Sequence, residues 1–256
     1  MRKKSFFIFI LTFILSLSFS LPAFGDDNAE LNWYYVPAKD HAIPEGAKEG
    51  AAFLKECNAF YLGDTSSKVL YLTFDEGYEN GNTPAILDTL KELKIPAAFF
   101  VVKPYLDSEP DIIKRMVNEG HLVCNHSNHH PSMASITDNE KFKEELISVE
   151  EAFKKLTGQN MPKFFRPPMG KYSKASLEKT KALGYKTIFW SFAYRDWLVN
   201  DQPDEAFAIE KIKSGVHPGG ILLLHAVSNT NTKILKQVLS ELQKEGYTFK
   251  TLNELP

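Results

Sequence analysis

VLYLTFDEGYENG, residues 69–81, runs an apolar segment straight into two adjacent carboxylates, Asp75 and Glu76, and then into a glycine turn. Strands disfavour Asp and Glu, and neighbouring like charges repel. The pair is therefore either a solvated acidic turn or the edge of a site that contains positive charge. The rest of the chain decides both the fold and that choice.

Working outward, short apolar runs alternate with amphipathic stretches. VLYLTF (69–74) reads as a buried strand and Thr83 to Leu93 as a helix. AAFFVV (97–102) and HLVCNH (121–126) are the next strands, separated by a helix from Pro110 to Glu119 that Gly120 stops. A long helix over residues 139–156 is stopped by Gly158. Then follow KFFRPP (163–168), a helix over 174–183, YKTIFWS (185–191), a helix over 205–213, GILLLH (220–225), a helix over 230–245 and YTFKTL (247–252). Buried strands alternating with helices imply an α/β fold with a parallel sheet and crossover helices. Six or seven such units suggest a closed or nearly closed barrel more than an open sheet. The polar exceptions fall where strands end: Asp75 with Glu76, His126, Arg166, Asp196 with Trp197, and His225. Active sites of parallel barrels are built at that end of the strands, so these side chains are expected on one face.

The composition sets limits on partners and location. A formal net charge of -2 over 256 residues offers no basic excess to neutralise phosphates, so nucleic acid is excluded as the main partner. Arg2, Lys3 and Lys4 precede an uncharged run that lasts to Asp26 and closes on Ala23, Phe24 and Gly25. This reads as a secretory signal over residues 1–25, with an uncleaved membrane anchor as the competing reading. Either way the bulk of the chain is expected outside the cytoplasm, and the membrane enters only through this segment. Residues 26–67 read as an N-terminal extension without periodicity, and 68–256 as the main domain. Of the two cysteines, Cys57 and Cys124, the second sits in an apolar run and reads as a buried small side chain.

HSNHHP (126–131) spaces His126 and His130 four apart. In a helical turn the two imidazoles would project to one side and share a metal. With a carboxylate from the Asp75–Glu76 pair they form an open zinc set, one carboxylate ligating and its neighbour acting as base. His129 lacks a partner at helical spacing and reads as a surface residue. In FFRPPMG (164–170), Arg166 can orient the base by paired hydrogen bonds. His225, with Asp196 to orient it, suits a general acid, the competing reading being a satisfied core histidine. Trp197 is either a sugar-stacking wall or a core tryptophan.

In this order LTFDEGYENG, HSNHHP, RPPMG, RDW and ILLLH resemble the five motifs of the polysaccharide deacetylases (NodB homology, carbohydrate esterase family 4), across about residues 68–252. The resemblance implies an α/β fold, a distorted (β/α) barrel of about seven parallel strands, with Asp75 as catalytic base, Arg166 as the residue that positions it, and Asp196 as the partner of the acid His225. It implies a divalent metal, zinc, on Glu76, His126 and His130, and substrate contacts from Trp197, Leu223 and Pro168. Two positions depart from the pattern: Glu76 stands where the family has Asp, and Ala193 replaces an Asp often found three residues before Asp196. FDEGYENG and WSFAYRDW look most like the delta-lactam-biosynthetic branch. The expected activity is removal of the N-acetyl group from N-acetylmuramic acid in peptidoglycan glycan strands of the spore cortex. Deacetylation of chitin-like glycans, or glycan binding without turnover, are the other readings.

Overall fold

The computed structural model describes residues 27–256; the stretch read as a secretory signal lies outside the described residues. In chain order the elements are β1 (Leu31–Asn32), β2 (Tyr35–Val36), β3 (Glu45–Gly46), β4 (Ala59–Phe60), β5 (Val69–Glu76), α1 (Thr83–Leu93), β6 (Ala98–Val101), α2 (Lys103–Ser108), α3 (Pro110–Asn118) and β7 (Leu122–Asn125). They continue with α4 (Asn139–Thr157), β8 (Phe164–Phe165), β9 (Lys171–Tyr172), α5 (Lys174–Ala182), β10 (Lys186–Ile188), α6 (Glu205–Gly215), β11 (Gly220–His225), α7 (Asn229–Lys244) and β12 (Thr248–Phe249).

The main sheet runs β11-β5-β6-β7-β8-β10-β4, with β12 also paired to β5, and every pairing in it is parallel. Past β10 the chain bridges to β11 at Phe192 and Leu222, where the Leu223 amide donates to the Phe192 carbonyl at 2.8 Å. The sheet thus curls into the expected distorted barrel. β5 is buried along its whole length because both faces are covered. Leu70, Leu72 and Phe74 pack outward against the helix layer, while Val69 and Tyr71 join Phe100, Cys124, Phe164, Ile188 and Ile221 inside.

Helix ends follow local chemistry. Asp138 caps α4 by accepting from the Glu140 and Lys141 amides, and Gly158 ends it at φ 73°, where a side chain would be strained. The strand expected over 163–168 is regular only at Phe164–Phe165, since Pro167 and Pro168 cannot donate to a ladder. The short helix α2, opened by Pro104 in its first turn, has no periodicity long enough to read from sequence.

Residues 27–67 are woven into the body. β4 is the edge strand against β10, and β1 pairs antiparallel with β9. Trp33, Ala47, Leu54 and Cys57 form an apolar cluster with Tyr172, Leu177 and Phe189. Cys57 and Cys124 are both free and buried.

Candidate active site

The parallel register gathers the polar exceptions at one end of the barrel. β11 places His225 directly beside Asp75 of β5. Cys124 and Phe164 point inward, so His126 and Arg166, two residues further along each chain, point inward as well. Between them lies a cavity of about 510 Å³ lined by Asp75, Tyr78, His126, His130, Trp197 and His225, among others.

Two charge pairs organise this cavity. Arg166 is fully buried; its Nη1 donates to Asp75 Oδ1 at 2.7 Å and its Nε to the Ile188 carbonyl at 3.0 Å, and the guanidinium lies 4.2 Å from the Phe100 ring centroid. Burial opposes the charge on Asp75, but Arg166, His126 and His225 outweigh it and hold the carboxyl below its ordinary range. On the other side, Asp196 takes the His225 ring through Oδ1 at 2.7 Å and the His225 amide through Oδ2 at 2.9 Å. Burial works against protonating His225, while Asp196 and then Asp75 draw it above the ordinary imidazole range. Asn231 Nδ2 donates to Asp196 Oδ2 at 2.6 Å, and Tyr194 bonds to Asn231.

His126 donates from Nδ1 to the Arg166 carbonyl at 2.8 Å, which turns Nε2 toward Asp75 Oδ2, 3.6 Å away. Burial lowers its pKa to about 4, so the ring is neutral at ordinary pH. His130 is also shifted down, first by burial. The segment carrying the pair is a bend, not a helical turn, yet the two rings meet edge to face with centroids 4.9 Å apart.

Glu76 corrects one expectation. β5 continues through Glu76, which is paired with Val101, so successive side chains still alternate between faces. Glu76 therefore turns away from the cavity toward Tyr105, fully buried, with neither carboxylate oxygen hydrogen bonded. Burial, then Glu79 and Asp75, push its carboxyl well above the ordinary range. The expected zinc set of Glu76, His126 and His130 is not assembled. Among the described residues, no cluster of three or more His, Cys, Asp or Glu is built to hold a metal. The side chains present do not fit a three-ligand site.

Trp197, half exposed, stands edge-on to His225 with centroids 5.5 Å apart, and Leu223 also lines the cavity. Pro168 is buried and shapes the turn; Met169 and Gly170 reach the cavity in its place. Gly170 sits at φ 65° with no room for a side chain, since a Cβ there would meet the Trp190 ring at 2.8 Å. Tyr78, Trp190, Asn231 and Tyr194 escaped the sequence reading. Tyr78 carried a signal by its place inside the acidic motif, and Trp190 and Tyr194 by theirs inside WSFAYRDW; Asn231 carried none.

A barrel whose strand ends bring a charged carboxylate and a protonatable imidazole to one cavity defines a class, enzymes that work by general acid–base catalysis. The comparisons with known proteins specify it further. Residues 62–188 match the family described as polysaccharide deacetylase. The chain is 42% identical over 228 residues to the peptidoglycan-N-acetylmuramic acid deacetylase PdaA of Bacillus subtilis, covering 89% of this chain and 86% of that one. It is 32% identical over 195 residues to a peptidoglycan-N-acetylglucosamine deacetylase of Bacillus cereus, covering 74% and 89%. The solved structure of B. subtilis PdaA, a family 4 carbohydrate esterase, superimposes with a TM-score of 0.86 at 41% identity, over 89% of this chain and 97% of that one. The chain belongs to the polysaccharide deacetylase family, whose members are metal-dependent hydrolases.

Proposed function

We propose that this protein is an exported peptidoglycan deacetylase that removes the acetyl group of N-acetylmuramic acid, leading to muramic delta-lactam in the spore cortex. The supporting observation is the Asp75–Arg166 pair set beside the His225–Asp196 pair on adjacent strands, with Asp75 and His225 lining one cavity, in a chain most of whose length aligns with a muramic acid deacetylase.

Each side chain has a task. Asp75, kept charged by Arg166, takes a proton from a water held against the acetyl carbonyl. The water oxygen bonds to the carbonyl carbon, and the C–N bond then breaks. His225, charged through Asp196, gives its proton to the leaving amine, so acetate and a free amino sugar result. Trp197 and Leu223 wall the space for the acetyl methyl and the sugar ring. On a muramic sugar stripped of its peptide, the freed amine lies close to its own lactyl carboxylate, and ring closure with loss of water benefits from that proximity. His126 and His130 are the two imidazoles available to a divalent cation, and zinc is the ion we propose for them. With Glu76 turned away, binding is expected to be weak, and no step above depends on it.

Acetate release from glycan strands stripped of stem peptides tests the reading, with intact peptidoglycan and chitin oligomers as comparisons, each with added zinc and with chelator. Release confined to stripped strands is expected, and Asp75→Asn should lower turnover by about 100-fold to 10,000-fold while glycan binding persists. Release from chitin oligomers alone would move the substrate to chitin-like glycans. Tight binding without release would make this a binding protein.

A further inference from the structure

The bend that presents His130 is conformationally unusual. Ser127 has φ 74° and His130 φ 59°, both in the left-handed region that residues other than glycine seldom occupy. Such backbone persists only where its surroundings over-determine it. Part of the support is internal: the Ser127 amide donates to Asn125 Oδ1 and the His130 amide to Ser127 Oγ, each at 2.9 Å.

The rest comes from α4. Glu145 Oε2 accepts the backbone amides of Asn128 at 3.0 Å and His129 at 2.9 Å, and Oε1 takes the His129 ring nitrogen Nδ1 at 2.7 Å. One turn of the same helix also holds the start of the bend, since the Leu146 carbonyl accepts from Asn125 Nδ2 at 2.9 Å. The helix itself is anchored in the core by Phe142, Leu146, Val149 and Phe153. It therefore grips the segment just before His126 and again just before His130.

We propose that Glu145 is a positioning residue, holding His130 in place beside His126 and Asp75 through the two amides that precede it. This rests on the reading of His130 as part of the deacetylase site. The rival account is an ordinary surface ion pair between Glu145 and His129, whose side chain is 72% exposed, and such pairs contribute little. The two accounts differ in what matters, the amides or the ring. Glu145→Gln keeps an acceptor oxygen for the amides, His129→Ala removes the ring, and Glu145→Ala removes the clamp.

The test uses the full-length protein and its three variants. Glu145→Ala is expected to lower kcat on the order of 10-fold to 100-fold with KM little changed, because a displaced His130 unseats the His126 ring that faces the base Asp75, while Glu145→Gln and His129→Ala stay within about threefold of the parent. Imidazole 1H–15N correlation spectra provide a readout that needs no turnover: Glu145→Ala should shift the His130 signals and leave those of His217 in place. Unchanged His130 signals in Glu145→Ala would overturn the proposal. So would equal losses in the Ala and Gln variants that follow the melting midpoint, or a loss in His129→Ala as large as in Glu145→Ala. A parent that releases no acetate would sink the deacetylase reading alone, with the spectra still deciding the role of Glu145.

Discussion

At His225, two hydrogen bonds to one carboxylate decide which proton is available for the leaving group. Asp196 accepts from both the ring and the amide, and Asn231 fixes Asp196 from behind. The alkaline limit of activity should therefore lie above the ordinary imidazole range, since a raised pKa keeps the acid protonated to higher pH. The acid limit should lie below the ordinary carboxylate range, because Asp75 is depressed and stays charged as pH falls. Asp196→Asn removes the largest influence raising His225. The alkaline limb of the kcat profile is expected to move to lower pH while the acid limb stays; a profile that keeps its alkaline limb would refute the assignment of His225 as acid. At this scale the sequence was informative wherever a polar residue interrupted an apolar run, which is how Asp75, Arg166 and His225 were found. Asn231 and Glu145 interrupt nothing, since polar residues are ordinary on the flanks of α7 and α4, and their roles come entirely from what they touch.

Strand length explains the misreading of the acidic pair. Reading β5 as ending at Phe74 frees both carboxylates to turn toward a shared ion, but the ladder runs two residues further, to Glu76 opposite Val101. Alternation then sends Asp75 into the cavity and Glu76 toward the helix layer, where its oxygens have no partners. A buried carboxyl with a raised pKa binds its proton more tightly in the folded state. Its burden on stability is absent at pH below the unfolded carboxylate pKa and grows as pH rises above it. Glu76→Met should thus be more stable than the parent by roughly 1–3 kcal/mol at neutral pH, with the gap closing in acid. Denaturant unfolding at the two pH values measures it. A variant that is instead destabilised, or that loses bound zinc, would return Glu76 to the site. The bend at 126–130 carries the same lesson in reverse: the spacing of His126 and His130 was legible, but left-handed residues rather than a helix bring the rings together.

Over the whole molecule, the N-terminal segment supports the wall of the cavity. The Trp33 amide donates to the Gly170 carbonyl at 2.7 Å and its Nε1 to the Trp190 carbonyl at 2.9 Å, while its ring stacks on Phe189 with centroids 4.4 Å apart. Gly170 and Trp190 both line the cavity. Trp33→Ala is expected to cost about 3–5 kcal/mol of stability and to lower activity as well, since both the core and the wall lose their backing. A melting midpoint equal to the parent's would show the segment to be a loose appendage. The sequence by itself determined the alternation of strands and helices, the end of the barrel that holds the site, and most of the charged groups there. Periodicity and interrupted apolar runs are local patterns, so they survive in one dimension. Only the tertiary structure decided which way Glu76 faces, how residues 27–67 join the sheet, and which distant side chains hold Asp196 and His130. Those outcomes depend on strand register and on contacts between residues far apart in the chain, and no local pattern encodes them.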